Sequence, residues 1–351
     1  MAIPPNGRRS RGLDAPAARR PVRATLTDVA RLAGVSRQTA SRVARGGALV
    51  SAETAARVES AIAELGYRPD PVAQALSTGS GRILGVVAHA YTSFGTITIL
   101  DGIQRAAQEA GYAVSVANLM EFDPEVVQAA VERLVRTGCD GIILMAPWMS
   151  DVAALEEVES LVPVLTTSQV AGYHGPAVHP DAAGSARDVV QHLLELGHRT
   201  VWHVAGPEGW NASRLRKQGW EQALRSAGAE VPAVLPGGWT GLAGYEAGLR
   251  LAEIPEVTAV FAANDHVALG LLYAFAQHGR RVPEQISVVG YDDIPGSEYF
   301  RPALTTVRID SLAQGRRAVA ELLRQLDGEP ASSPVFVGHQ LVIRDSTAPP
   351  P

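Results

Sequence analysis

A chain of 351 residues, 46% of them hydrophobic, is too long for one small domain and long enough for a head plus a two-lobed body. Its formal charge of −5 is unevenly placed: residues 1–82 hold 13 arginines and 6 carboxylates, net +7, and the rest of the chain is net −12. A basic head on an acidic body suits a DNA reader with a second task away from DNA; the single cysteine, Cys139, excludes an internal disulfide and fits a reducing compartment, and no apolar run approaches the length of a membrane span.

Residues 1–24 are rich in Arg, Pro and Ala and lack the apolar core of a signal peptide, so they read as a disordered basic arm. Helical signals begin at Thr25, an N-cap answered by Asp28 in a capping box. Val29, Leu32 and Ala33 give the helix that follows an apolar face. Gly34 ends it, Val35 tucks inward, and Ser36 caps a second helix that carries Ala40 and Val43 inward. Two short helices across a tight glycine turn form a helix-turn-helix, whose second helix can lie in the DNA major groove. Arg37, Gln38 and Thr39 then sit at the groove-entering first turn. Arg suits guanine edges, Gln suits adenine, and the Thr methyl suits thymine.

Ser51 caps a third helix, in which Val58, Ile62 and Leu65 pack against the first two; Gly66 and Pro69 stop it. In residues 70–82, DPVAQALSTGSGR, Asp70 can cap, Pro71 fits the first helical position, and Val72 to Leu76 span a turn or two of helix before a flexible linker. So short a helix is marginal alone and forms when something binds it.

From Ile83 short apolar runs alternate with amphipathic stretches. Strands are expected at Ile83–Ala88, Ala113–Ala117, Gly141–Leu144, Val164–Thr166, Val201–Val204, Val260–Ala262 and Ser287–Tyr291. Helices are expected at Pro124–Thr137, Ala182–Leu196, Arg214–Ala227 and His266–His278, with a last helix at Ser311–Leu326 and a last strand at Gln340–Ile343. Such alternation means parallel sheets covered on both faces, and this many strands suit two doubly wound sheets better than one.

The string T-x-x-D-V-A-x-x-A-G-V-S-x-x-T-x-S-R-V, from Thr25 to Val43, resembles the DNA-binding headpiece of the LacI/GalR family of bacterial repressors. The likeness continues through ELGHRTVWHVAGP, RLRKQGWEQAL, FAANDHVALG, ISVVGYDDIP and LTTVRID, in family order. Each lies near a strand C-terminus or in the following loop, where α/β folds place ligands. In the head the resemblance implies that Ser41 and Arg42 contact phosphates and bases, that Gln38 and Thr39 are shared, and that Arg37 and Arg45 depart from the pattern and alter the preferred operator. Leu76 matches the hinge leucine that wedges into the minor groove, and Ala73 the small residue that lets two hinge helices approach. The candidate DNA contacts are therefore Thr25, Ser36, Arg37, Gln38, Thr39, Ser41, Arg42, Arg45, Ala73 and Leu76.

For the body the resemblance implies a periplasmic-binding-protein-like domain with its ligand between two lobes. Arg216 matches the arginine that grips sugar hydroxyls, Asn264 and Asp292 complete a polar clamp, and Trp239, in GGWTGLAGY, covers the sugar's apolar face. Other positions depart: Ser168, Ile309 and Ser311 stand where a sugar-binding member has aspartate, glutamine and phenylalanine. His89 replaces a serine after the first strand, with Tyr91 and Phe94 close behind. A His and two aromatics at the pocket mouth suit a saccharide; a purine corepressor would also accept the stacking, so both ligands stay open.

The resulting expectation is an α/β protein with an N-terminal all-α helix-turn-helix headpiece (25–69), a hinge helix and linker (70–82), a two-lobed body of two doubly wound parallel sheets (83–345) and a tail (346–351). The N-lobe takes about 83–180 and 309–327, and the C-lobe about 181–308 and 328–345. Without a leucine-heptad tail, a homodimer is expected. It is read as a cytoplasmic, nucleoid-associated regulator of double-stranded operator DNA, released from a pseudo-palindromic operator by a mono- or disaccharide; the alternative is a purine or other small molecule acting as corepressor. No cofactor or metal and no membrane partner is expected. An enzyme has little support, since the chain shows no G-x-S-x-G elbow, no P-loop and no histidine pair at metal-ligand spacing.

Overall fold

Thr25 caps the first helix in both directions: its hydroxyl oxygen accepts from the Asp28 backbone N–H at 3.3 Å, and the Asp28 carboxylate accepts from the Thr25 N–H at 2.9 Å. The computed structural model describes residues 24–44, 50–68, 81–89, 94–120, 123–145, 152–330 and 334–351, in two units divided after Thr78. The arm up to residue 23, Arg45, the hinge positions Ala73 and Leu76, and Tyr91 lie outside the described residues.

In the head, α1 (Leu26–Ala33) ends at Gly34, whose φ of 65° is the left-handed conformation that glycine adopts without a Cβ penalty. Ser36 accepts from the Thr39 N–H at 3.1 Å and so caps α2 (Arg37–Ala44); Ser51 caps α3 (Ala52–Leu65). Val29, Ala30, Ala33, Ala40, Val58 and Ala61 form the core, with Val35, Val43, Ile62 and Leu65 against it. Leu32 departs from expectation, at 48% exposure. At 3.6 residues per turn the face shared by Leu26, Val29, Ala30 and Ala33 leaves Leu32 about 110° away from its centre.

The body opens on Gly81 and Arg82, whose backbone N–H groups both donate to the Asp140 carboxylate, at 2.9 and 2.8 Å. Its first half runs β1 (Ile83–His89), α4 (Phe94–Glu109), β2 (Ala113–Leu119), α5 (Pro124–Arg136), β3 (Gly141–Met145), α6 (Val152–Glu159), β4 (Val164–Thr166) and β5 (Val178–Pro180). The four main strands form a parallel sheet in the order β2-β1-β3-β4. Val87 lies opposite Ala117 on one side and Leu144 on the other. A central parallel strand is buried on both faces, which is why ILGVVAH reads as a continuous apolar run.

The second half runs α7 (Ala182–Glu195), β6 (Trp202–Val204), α8 (Asn211–Ser226), α9 (Gly241–Ala252), β7 (Ala259–Ala262), α10 (Asp265–Gln277), β8 (Ser287–Tyr291) and β9 (Thr305–Ile309). Its sheet order is β11-β9-β8-β7-β6, parallel except for the antiparallel β11 (His339–Val342). The chain returns to the first half for α11 (Ser311–Leu326), which packs along α4. There Gly315 is required by close approach, since a Cβ would stand 2.1 Å from the Ile99 carbonyl oxygen.

Three differences from expectation have physical causes. Helix α8 starts at Asn211 rather than Arg214, because its first turn is the polar Asn-Ala-Ser, which carries no apolar periodicity. Strand β10 (Val335–Val337) pairs with β5 and packs with Leu84 and Ile143, so the final return to the C-lobe comes after Val337 rather than at 328. The terminal residues do not stand apart as a tail: Ser346 is wholly buried, its hydroxyl donating to the Val288 carbonyl at 2.6 Å and accepting from the Thr305 N–H at 2.8 Å. Three crossings between the halves, Pro180 to Ala182, Ile309 to Ser311 and Val337 to His339, thus join the two lobes.

Candidate functional site

On α2, Arg37, Gln38 and Arg42 are exposed and Ser41 is half-buried, while Ala40 is buried. Thr39 bonds its hydroxyl to that of Ser36 at 2.9 Å, which leaves its methyl as the group it can offer a partner. The Thr25 hydroxyl is likewise engaged, donating to Asp28 at 2.7 Å. Thr25 and Ser36 therefore act first as caps that hold the two helices.

In the body a cavity of about 180 Å³ opens beside the crossings and is lined from both halves. Of the sequence candidates, His89, Ser168, Arg216, Trp239, Asn264 and Asp292 line it, together with the departing positions Ile309 and Ser311. Phe94 does not: it is the first residue of α4, and its successors Gly95, Thr96 and Ile99 face the cavity instead.

Arg216 stands in the second turn of α8 and is buried. Its Nη1 donates to the Ala263 carbonyl, its Nη2 lies 3.8 Å from Asp292 Oδ1, and its guanidinium carbon sits 3.5 Å from the centre of the Tyr291 ring. Tyr291 is fixed from behind by a 2.9 Å hydrogen bond between its hydroxyl and that of Ser185. Burial pushes the Asp292 carboxyl up to about 6, against the opposing pull of Arg216. Asn264 is the N-cap of α10, accepting from the Val267 N–H at 2.9 Å, and its amide nitrogen donates to the Trp239 carbonyl at 3.2 Å. Arg216 Nε and Trp239 Nε1 are buried with no acceptor among the described residues.

The loop that presents Asp292 is strained and braced. Asp292 and Asp293 have φ of 104° and 49°, conformations that cost a non-glycine residue on the order of 1–3 kcal/mol each. Asp293 is held there by Arg308 at 2.6 Å, Arg344 at 2.7 Å and the Ser297 hydroxyl at 2.8 Å. Behind the loop the buried Asp265 accepts from the Thr306 hydroxyl at 2.5 Å and the Ile294 N–H at 2.8 Å. Gly290 exists for that carboxylate, since a Cβ there would stand 2.1 Å from it.

Sequence reasoning missed Trp210, His179 and Gln314, all of which line the cavity. Trp210 precedes α8 and meets Trp239 edge to face, ring centroids 5.4 Å apart. It lies just past the ELGHRTVWHVAGP motif, in the loop that follows β6, so position after a strand was a usable signal. Gln314 gave none: it looks like a helix surface residue, yet its buried amide donates to the Thr167 and Val178 carbonyls at 3.0 and 2.9 Å, tying β4 to β5. Among the described residues no cluster of three metal-ligating side chains occurs, and no helix is long and apolar enough to cross a membrane.

Comparison with known proteins places these features together. Residues 25–70 match the bacterial regulatory proteins of the lacI family, and residues 190–347 match the periplasmic binding protein-like domain. The chain is 34% identical over 331 residues to the lactose operon repressor of Escherichia coli (strain K12), covering 93% of this chain and 91% of that protein. It is 31% identical to the HTH-type transcriptional repressor PurR of Haemophilus influenzae, covering 92% and 98% respectively. Among solved structures, the lac repressor dimer bound to operator and the anti-inducer ONPF aligns with a TM-score of 0.86 at 32% identity, over 93% of this chain and 99% of that one.

Proposed function

Because the chain belongs to the lacI family of bacterial regulatory proteins, and is a DNA-binding transcriptional repressor rather than an enzyme, we propose that it binds a pseudo-palindromic operator as a dimer and is released by a small sugar held in the cavity of its body. The observation that carries this reading is the convergence of Arg216, Trp239, Asn264 and Asp292 on one cavity from four separate segments. A guanidinium fork beside a carboxylate offers donors and acceptors spaced for neighbouring hydroxyls. The indole ring offers a flat apolar surface to the C–H face of a pyranose. The unmatched donors Arg216 Nε and Trp239 Nε1 add capacity for ligand oxygens.

On the DNA side, Arg37, Gln38, Ser41, Arg42 and Arg45 read and grip the major groove. Leu76, with Ala73 allowing two hinges to meet, wedges the minor groove at the operator centre. Smooth bending of such a site costs on the order of 1–6 kcal/mol, so the wedge needs both hinges ordered. A ligand that favours one arrangement of the lobes over another shifts the hinges with it; without that preference it would shift nothing.

A thermal-shift series on the full chain tests the ligand class, because a ligand that binds the folded state raises its apparent stability. A melting temperature raised by a neutral sugar and unmoved by purines supports the reading. A shift with hypoxanthine or guanine alone replaces it with a purine corepressor.

A further inference from the structure

Two strands that end at the cavity begin where the chain enters the body from its head. β1 and β3 lie side by side and parallel, with Leu84 opposite Gly141 and Ala88 opposite Met145. Their last residues, His89 and Met145, line the cavity. Their first residues stand together at the opposite end of the sheet, on the order of 20 Å away at the usual rise of a strand. There Asp140, the residue before β3, turns its carboxylate to the two residues before β1. It accepts from the Gly81 N–H at 2.9 Å and the Arg82 N–H at 2.8 Å.

This junction is fixed from several sides. The Asp140 N–H donates to the Ile83 carbonyl at 2.8 Å, and the Ala113 N–H to the Arg82 carbonyl at 2.9 Å, so the start of the body is tied to β3 and to β2. Arg82 has a φ of 48°, in the left-handed region that a non-glycine residue enters at a cost, and its guanidinium carbon lies 5.9 Å from the centre of the Tyr112 ring. Gly81 passes so close to Gly138 that a Cβ would stand 2.1 Å from the Gly138 carbonyl oxygen. A backbone bent in this way persists only where its surroundings hold it, and hydrogen bonds to an ionised carboxylate are the strong kind.

We infer that Asp140 is a positioning residue for the DNA response: its carboxylate fixes the direction in which the chain leaves the body, and so joins the cavity-bearing strands β1 and β3 to the linker that precedes them. Paired strands are stiff along their length, so a shift at His89 or Met145 carries Arg82 or Asp140 with it, and the carboxylate passes the shift to the Gly81 backbone. This rests on the proposed control of DNA binding by the cavity and adds the contact through which that control runs.

Coupling between two sites is reciprocal, so the link can be read from the DNA side without an effector in hand. Hydrogen exchange of the full chain tests it, free and saturated with a duplex that the chain selects from a random pool. In the unaltered chain the duplex should slow exchange in the head and, by at least about fivefold, in peptides spanning β1 and β3. In Asp140→Ala at saturation the head should stay protected, while the slowing of both strand peptides falls below about twofold. Gly81→Ala leaves the carboxylate in place but drives the backbone away from Gly138; it should act in the same direction, so the test stands if one variant fails to fold. A merely structural role would instead speed exchange across the body with and without duplex. That result overturns the inference, as does undiminished slowing in both variants or loss of duplex binding by both, and each leaves the cavity reading standing. If the duplex leaves the strand peptides of the unaltered chain unchanged, or no duplex is selected, both fall.

Discussion

Asn264 holds Trp239 in place: the amide nitrogen donates to the Trp239 carbonyl at 3.2 Å while the amide oxygen caps α10 through the Val267 N–H at 2.9 Å. One side chain thus starts a helix and fixes the loop that carries an aromatic wall of the cavity. Asn264→Ala should cost about 0.5–2 kcal/mol through the lost cap and weaken effector binding as well. Asn264→Asp keeps an acceptor for the cap and loses the donor, so it should retain most of the stability and still lose affinity. Melting temperature and effector titration on both variants check the separation; equal affinity in Asn264→Asp and the unaltered chain would show that the bond to Trp239 is idle.

Asp292 predicts a pH dependence of effector binding. Burial raises its carboxyl to about 6, and on the proposed reading the ligand uses the ionised form as acceptor. Affinity should be full above about pH 7 and fall as pH drops through 6, by up to about tenfold per unit below it. Asp292→Asn should bind more weakly with a flat profile. Titrations between pH 7.5 and 5 check this, and a flat profile in the unaltered chain counts against the role.

His203 predicts acid sensitivity of the fold. Its ring is wholly buried, stacked on Phe261 at 4.8 Å and 18°, with Nδ1 3.0 Å from the Phe261 carbonyl. Burial, the largest cause, holds its pKa near 4, below the 6.5 of an exposed histidine. A depressed value means the unfolded chain takes up the proton first. Its contribution is therefore full above pH 6.5 and is lost as pH falls from 6.5 to 4, by about 3 kcal/mol across that window. His203→Gln removes the titration, so its melting temperature should fall less steeply over the same range.

Ser346 predicts that the chain end is structural. Ser346→Ala leaves the buried Thr305 N–H without its 2.8 Å acceptor. An unmet buried donor costs about 1–3 kcal/mol, visible as a lower melting temperature. No change would mean that the terminal segment is dispensable.

Much of this was legible in the sequence because local chemistry decided it. The Thr25–Asp28 capping box, the Gly34 turn and the Ser36 and Ser51 caps are short-range signals, and the buried parallel strands declare themselves as apolar runs. Arg216, Trp239, Asn264 and Asp292 were legible through a family resemblance, and the structure gathers them at one cavity. What was hidden depends on distant partners. Gln314 is polar on an amphipathic helix, and its burial follows from where β4 and β5 end. The packing of Ser346 depends on β8 and β9, some forty to sixty residues earlier in the chain. Leu32 was misplaced because a period of 3.6 fixes spacing and leaves the exact direction of the face to the neighbouring helices.

The central claim is that the cavity controls the grip on DNA. It is tested most directly by measuring operator affinity with and without effector in the unaltered chain and in Arg216→Ala, on a duplex selected by the protein itself. The account predicts that the variant binds the duplex as tightly as the unaltered chain and no longer responds to effector. A variant that still responds fully, or one that loses DNA binding altogether, would contradict it.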